Sequence, residues 1–541
     1  YRIGECSYFL GDLKAAAQEF STFLKTYPKN ELAEWATPYL ADAYRRAKQP
    51  QEAADIYLQA LKKYPNSRFT EESTFGLARC YESLKQPDDA IAMFGKVAAM
   101  KNGTRAAEAQ MAVASVQFDA GRFRDAAGSY EQFIARYPES DLLPQAEINA
   151  GYAHYQAGDF QRAVSHFDRA AKDKGQQATA GYWMGVSRKA LRQYAEASRD
   201  LEAAFKADEN GPLAQNALFQ WADTEFHREQ YNTARTRFLD VVKRWPKGDL
   251  ADDSLHLAAE AALNEGKLDD GDRLVSQFRK EYSNSALRMY NRILGGRLAS
   301  ARGGEKHLKV AADHFRGVVE ASKIPRTRSL ARFHLARTLQ QLDDDDGVLE
   351  VAAPLLDDIA KEGASLEFID VLIIASSSQL TLKKYGDAVT STSRYLKSRP
   401  EGSQANQALA TRAIAAAYLD DKTDSQADLT RLTRATTASK LAQQTTYKIA
   451  EIAYDLKDWE WSADLYGRLV ARGPKSPNHA HALSGLGWCR FEQKKFLDAA
   501  DHFTQLIEQH PGETVLAPEA AFKRAESLEN ADRFPEAAKA Y

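Results

Sequence analysis

In the stretch GDLKAAAQEFSTFLKTYP (residues 11–28), Ala16, Phe20, Phe23, Leu24 and Tyr27 recur at three- and four-residue intervals. That spacing lines one face of a helix. Pro28 stops the helix, because proline supplies no backbone donor and pushes the residue before it out of the α region. The segment returns as KQPQEAADIYLQALKKYP (48–65), GRFRDAAGSYEQFIARYP (121–138), EQYNTARTRFLDVVKRWP (229–246) and KKFLDAADHFTQLIEQHP (494–511). Each copy opens on a turn-like Gly, Lys or Glu. An apolar or aromatic residue follows two on, then a small Ala, an aromatic four further and a closing Pro. The Ala falls at 16, 53, 126, 234 and 499. Weaker copies place it at Ala90, Ala163, Ala197, Gly271, Ala311, Gly347, Ala388, Ala427, Ser462 and Ala537, in steps of 34 to 41 residues, most of them 36 or 37.

Upstream of each such helix B lies a second periodic segment, helix A, exemplified by Trp35, Tyr39, Leu40, Ala43 and Tyr44. The short connection makes A and B antiparallel neighbours. A recurring small residue in helix A (Ala41, Ala78, Ala114, Gly151, Gly185, Ala222, Gly487) lets the two backbones approach. One hairpin cannot bury its apolar face, so the units must stack. The expected fold is all-α, a solenoid of about fourteen to fifteen antiparallel hairpins. The composition agrees: about 90 alanines, roughly twice the usual share, stand against 17 prolines and 30 glycines in 541 residues.

Composition also excludes functions. Lys plus Arg number 72 and Asp plus Glu 75, so no global basic field is present to hold nucleic acid or an anionic membrane. The most apolar stretch, FIDVLIIA (368–375), is too short to span a bilayer and carries Asp370. Cys6, Cys80 and Cys489 are odd in number and far apart, which indicates neither a disulfide framework nor a zinc site. They read as buried small hydrophobes at similar depth in A helices.

The repeated pattern of a small residue in helix A, a turn, Ala-x-x-x-aromatic in helix B and a closing Pro resembles the tetratricopeptide repeat. The resemblance implies a right-handed superhelix without catalytic, cofactor or metal residues, whose A helices line a concave groove that takes partner peptides or helices. Carried onto this chain, it implies a groove containing Trp35, Asp42, Arg45, Phe75, Arg79, Phe118, Tyr152, Tyr155, Tyr182, Phe219, Phe226, Tyr447, Trp488 and Phe491. Aromatic and Arg side chains concentrate binding energy in interfaces. Several of these are also suited to packing between neighbouring A helices. The Lys and Asn set with which chaperone-binding relatives grip a terminal carboxylate is not found. Units of 36 or 37 residues with Tyr-Pro followed by Asn or Glu and Ser (Tyr64 to Ser67, Tyr137 to Ser140) are similar to repeats of bacterial envelope proteins such as the outer-membrane assembly lipoprotein and the Tol-Pal coordinator. They imply a periplasmic or outer-membrane-associated place.

Residues 1–282 read as a regular array of about seven to eight units, 283–440 as divergent hairpins and 441–541 as a regular array. Both ends read as cut through units. The run Asp343 to Asp346 falls at an inter-helix turn and lacks the Gly and distal Glu of a calcium loop. His479 and His481 are two apart on a helix and point to different faces, and His307 and His314 have no third ligand nearby. No phosphate-binding Gly-rich motif occurs. The leading expectation is a non-catalytic scaffold for protein partners. A superhelical arm of a cell-wall enzyme such as a lytic transglycosylase, its catalytic domain lying elsewhere, is the alternative. A helical-toroid glycosidase would need paired carboxylates at one end of a closed barrel, whereas the Asp and Glu here are dispersed.

Overall fold

The computed structural model describes residues 1–101, 103–361, 363, 365–435 and 439–541. Among these residues there are thirty helices and no strand. By contacts the chain divides into two units, Tyr1–Leu274 and Val275–Tyr541. Each is an all-α solenoid in which helices pack mainly on their neighbours in sequence.

Within the units the helices pair into A–B hairpins. Seven lie in the first, from Arg2–Phe9 with Leu13–Thr26 to Ala214–His227 with Tyr231–Arg244, and seven in the second, from Arg288–Arg302 with Glu305–Ala321 to Leu516–Asn530 with Phe534–Ala540. The turn from Ala251–Glu265 into Leu268–Glu281 is of the same kind. Each A–B turn carries a residue at positive φ, between 56° and 83°: Gly11, Lys48, Lys85, Gly121, Gly158, Arg192, Glu229, Gly266, Gly303, Asp343, Lys383, Asp420, Lys457, Lys494 and Asp532. Around such a residue the chain turns back while the helix's last carbonyls stay bonded. At Lys48 the amide donates to Arg45 O (3.0 Å) and the Gln49 amide to Tyr44 O (2.9 Å). In five hairpins an Asp then caps helix B, as Asp12 does by accepting from the Ala15 amide (3.0 Å) and Asp458 from Trp461 (3.0 Å). The four-aspartate run is the same device. Asp343 holds the positive φ, Asp344 caps by accepting from the Gly347 amide (3.0 Å), and Asp345 and Asp346 occupy the first helical turn.

The core of each hairpin forms where two small residues meet one large one. Ala16, Ala53, Ala90, Ala126, Ala163 and Ala499 are fully buried in B helices, and Ala41, Ala78, Ala114 and Ala222 in A helices. Where helix A has Gly instead, a larger side chain fills the space, Leu201 at Gly185 and a ring at Gly151 and Gly487. A Cβ on Gly151 would overlap the Phe167 ring, and one on Gly487 the Phe503 ring. Those aromatics lie four residues after the B-helix Ala, as the repeat requires.

Two register assignments are corrected. In the Asp345–Ala360 helix the fourth position is Val348, fully buried, rather than Gly347. In the Lys422–Arg434 helix it is Ser425, fully buried, rather than the exposed Ala427. A valine there has lost the small-residue signature, and Ser425 keeps it by bonding to the Ala413 carbonyl (2.9 Å), as Ser462 does to Ala450 (2.8 Å). The positive-φ positions then run mostly in steps of 37, with 40 on either side of Asp343.

Cys6 is also corrected: it is exposed, while Cys80 and Cys489 are buried. Cys80 is covered by Ala54 and Tyr57 of the preceding hairpin, whereas Cys6 lies on the first helix of the structure. Burial pushes the Cys80 and Cys489 thiols up to about 11, so both are inert at neutral pH. The apolar stretch at 368–375 enters the core of the second unit through Ile369, Val371, Leu372 and Ala375. No helix is long and apolar enough to cross a membrane among the described residues.

Candidate functional site

In the first unit, helices Arg2–Phe9, Ala33–Arg46, Thr70–Ser83 and Ala106–Asp119, the A helices of four successive hairpins, border a cleft of about 670 Å³. Its apolar walls are Tyr8, Tyr39, Phe69 and Phe75, and its charges are Arg45, Arg46, Arg79 and Arg105 against Asp42, Glu72 and Glu108. Asp42 is the hub. Tyr8 donates a short hydrogen bond to its Oδ2, Arg45 donates through Nε (2.9 Å) and Nη2 (2.6 Å) to Oδ1, and the Tyr57 hydroxyl lies 3.4 Å from the same oxygen. Burial and then the Asp42 hydrogen bond raise the Tyr8 phenol, and burial and then the Asp42 charge raise that of Tyr57. Both stay protonated donors. Further along, Arg79 pairs with Glu82 (2.9 Å) and Arg105 with Glu108 (3.3 Å), while both guanidinium groups lie over the Phe75 ring, at 5.3 and 4.5 Å.

Tyr57 belongs to a B helix, Pro50–Lys63, yet its ring reaches the cleft. It passes between two A helices where Gly76 leaves room: a Cβ on Gly76 would overlap the ring and the hydroxyl. The second unit repeats this device. A Cβ on Gly485 would stand 2.5 Å from the Tyr466 ring, and Tyr466 lines a cleft of about 460 Å³ with Tyr447, Lys448, Glu451, Tyr454 and Trp488. Burial pushes the Tyr447 and Tyr454 phenols up to about 12.

The fourteen residues expected in a groove therefore separate. Asp42, Arg45, Phe75 and Arg79 meet in the first cleft, and Tyr447 and Trp488 in the second. Trp35 lies beside the first, edge-on to Phe69 (5.0 Å) and under the Arg68 guanidinium (4.5 Å). Phe118, Tyr155, Phe226 and Phe491 pack edge-on against the residue five further along their own hairpin, Phe123, Phe160, Tyr231 and Phe496, at 5.2 to 5.4 Å. These pairs seal the turns. Tyr152 and Tyr182 join Tyr155 around Trp183, with ring centroids 5.2 to 5.3 Å away, and Phe219 sits on Phe238 (5.6 Å).

Sequence reasoning missed Tyr57, Gly76, Tyr466 and Gly485. The signal was present as a tyrosine followed nineteen residues later by glycine. His479 and His481 do point apart, the first buried and bonded to His510 (2.8 Å), the second exposed at the second cleft.

Tetratricopeptide-repeat family models match residues 1–30, 31–103, 111–181, 447–514 and 495–541. The chain carries tetratricopeptide repeats, and does so in both units. No curated protein matches the chain. Among solved structures it is similar to the C-terminal part of a TPR repeat-containing protein from Cytophaga hutchinsonii, at 14% identity over 47% of this chain and 98% of that one, with a TM-score of 0.41. It is also similar to a tetratricopeptide repeat protein from Parabacteroides merdae (14% identity, 50% and 98% covered, TM-score 0.33). A third similarity is to a chain of Naa15/Naa10 bound to HypK-THB (14% identity, 98% and 88% covered, TM-score 0.37).

Proposed function

We propose that the chain is a non-catalytic scaffold that binds protein partners along the A-helix faces of its repeats, with the two tyrosine-floored clefts as anchor points. The observation that carries this reading is the first cleft. Aromatic walls and four arginines border a space of about 670 Å³ on four consecutive hairpins. Such walls bury large area at low entropic cost, and the paired charges at the rim select register rather than supply bulk affinity. The occupant is an extended peptide or helix with apolar side chains flanked by charges of both signs. The reading extends to the bacterial cell envelope, supported by the repeat length and the Tyr-Pro-Asn/Glu-Ser endings, and cell fractionation of the full-length protein tests that part.

A photo-crosslinking residue placed at Arg46, on the cleft, captures the partner in vivo, and the same residue at Lys62, on an exposed B-helix face, does not. For the captured partner, R45A/R79A weakens binding at least tenfold by calorimetry. Equal capture from Lys62, or unchanged affinity in R45A/R79A, overturns the reading.

A further inference from the structure

Away from both clefts, three consecutive helices of the first unit bring two histidines and a carboxylate together. Glu131 comes from Phe123–Arg136, His154 from Leu143–Gln156 and His166 from Phe160–Ala170. His154 Nε2 lies 2.9 Å and His166 Nε2 3.5 Å from the same oxygen, Glu131 Oε1, and the ligand atoms of all three residues lie within 4.8 Å of one another. The two imidazole rings are stacked, 5.2 Å apart and tilted by only 16°, so both Nε2 edges face the same point. His154 is 4% and His166 5% exposed.

We infer that Glu131, His154 and His166 form a binding site for a zinc ion, with one position left to water. Two imidazole nitrogens and a carboxylate oxygen are a donor set that this borderline-soft ion accepts in tetrahedral geometry. Bonds of about 2.0–2.2 Å require the three atoms to draw in around the ion, which the half-exposed Glu131 side chain allows. The outer shell is already built. His166 Nδ1 stands 2.6 Å from Oε2 of the buried Glu147, whose Oε1 accepts from Arg169 Nε at 2.8 Å. With Nδ1–H donating to Glu147, the lone pair of His166 is fixed on Nε2, the nitrogen that faces Glu131. A carboxylate behind a histidine in this way sets ring orientation and tautomer in zinc sites. Arg169 Nη2 also lies 2.7 Å from His166 Nδ1. Because a guanidinium only donates, that contact is no hydrogen bond in this tautomer, and Arg169 is held instead by its bond to Glu147. His154 has Asp159 Oδ2 at 4.0 Å from its Nδ1, the corresponding place on the second ligand. The ion would clamp a B helix to the next hairpin.

The test uses the whole chain after chelator treatment. Cobalt(II), as a spectroscopic probe, is titrated while visible absorption is followed, and zinc is titrated by calorimetry and in thermal unfolding. The expected result is a d–d band typical of four-coordinate cobalt, displaced by zinc, and a zinc-dependent rise in melting temperature. E147Q lowers affinity 10- to 100-fold while the band persists. H154Q/H166Q abolishes the band. E131A, altering a half-exposed side chain, does the same and serves should the double histidine variant fail to fold. H479Q/H510Q, at the other histidine pair of close approach, leaves it unchanged. Absence of binding below 100 µM metal in the intact chain overturns the site, a threshold of about 5.5 kcal/mol. Survival of the band in E131A, or its loss in H479Q/H510Q alone, does so as well.

Discussion

The Tyr57 ring occupies the space that a side chain at Gly76 would need, and so a residue of one hairpin's B helix forms part of the cleft bordered by the A helices on either side. Replacing Gly76 by Ala must displace the ring. The expected cost is about 1–3 kcal/mol, the usual range for overpacking, with loss of the Tyr57 to Asp42 contact. G485A acts alike through Tyr466. G128A and G467A lie in helix interiors with open space at the added methyl, so they raise stability by about 0.5–1 kcal/mol. Urea melts of the four variants check the opposite signs.

Lys48 and Lys494 hold φ near 60° at turns where other hairpins have glycine. A side chain in that conformation costs about 1 kcal/mol. K48G and K494G each stabilise by up to this amount, and G121A destabilises by a similar amount. Equal melting midpoints for all three variants would show the turns to be relaxed by other means.

Arg412 meets Asp428 in a two-pronged pair of 2.6 and 2.7 Å, with Asp428 only 2% exposed. Removing the arginine alone leaves a buried carboxylate without its counter-ion. R412A costs about 3–5 kcal/mol, while an R412L/D428L double variant recovers most of it. A double-mutant cycle in denaturant measures the difference.

His334 is held down to about 4, first by burial and then by the charges of Arg297 and Arg337, and its ring stacks on Phe315 at 5.4 Å. Its folded value is thus below the unfolded one near 6.5. Between those values the unfolded chain binds the proton that the folded chain refuses, so this stability is present above 6.5 and is lost as pH falls toward 4. The loss is on the order of 2–3 kcal/mol. In H334Q it is absent, and the melting-temperature gap between variant and parent shifts in favour of the variant across that window. A gap constant from pH 7 to 4 would refute the assignment.

How much of this was legible in the sequence depends on how far apart the cooperating residues lie. Ala16 with Phe20, and the proline after Tyr27, are local and recur, so the hairpin could be read from one copy and verified on the others. Val348 and Ser425 are less legible because the residue four further on is Ala352 or Leu429 rather than the aromatic that marks the register elsewhere, as Tyr466 does after Ser462, and a small residue, Gly347 or Ala427, stands close by. Tyr57 and Gly76 lie on different hairpins, and their meeting depends on how one unit stacks on the next. His154 and His166 are twelve residues apart across a turn. The same offset brings Arg188 to Asp200 and Gln117 to Ser129, so the spacing marks a polar crossing without saying which crossing carries imidazoles.

The first cleft draws its lining from four hairpins in a row. In a solenoid each hairpin is secured by its neighbours alone, so the array can fray one unit at a time. An occupant seated there is a splint laid across three joints. On the proposed reading it would bind only when all four hairpins are closed, and while bound it would make them open together. Amide exchange over residues 1–119 would slow as a block on binding, turning a row of loosely independent units into one mechanical part.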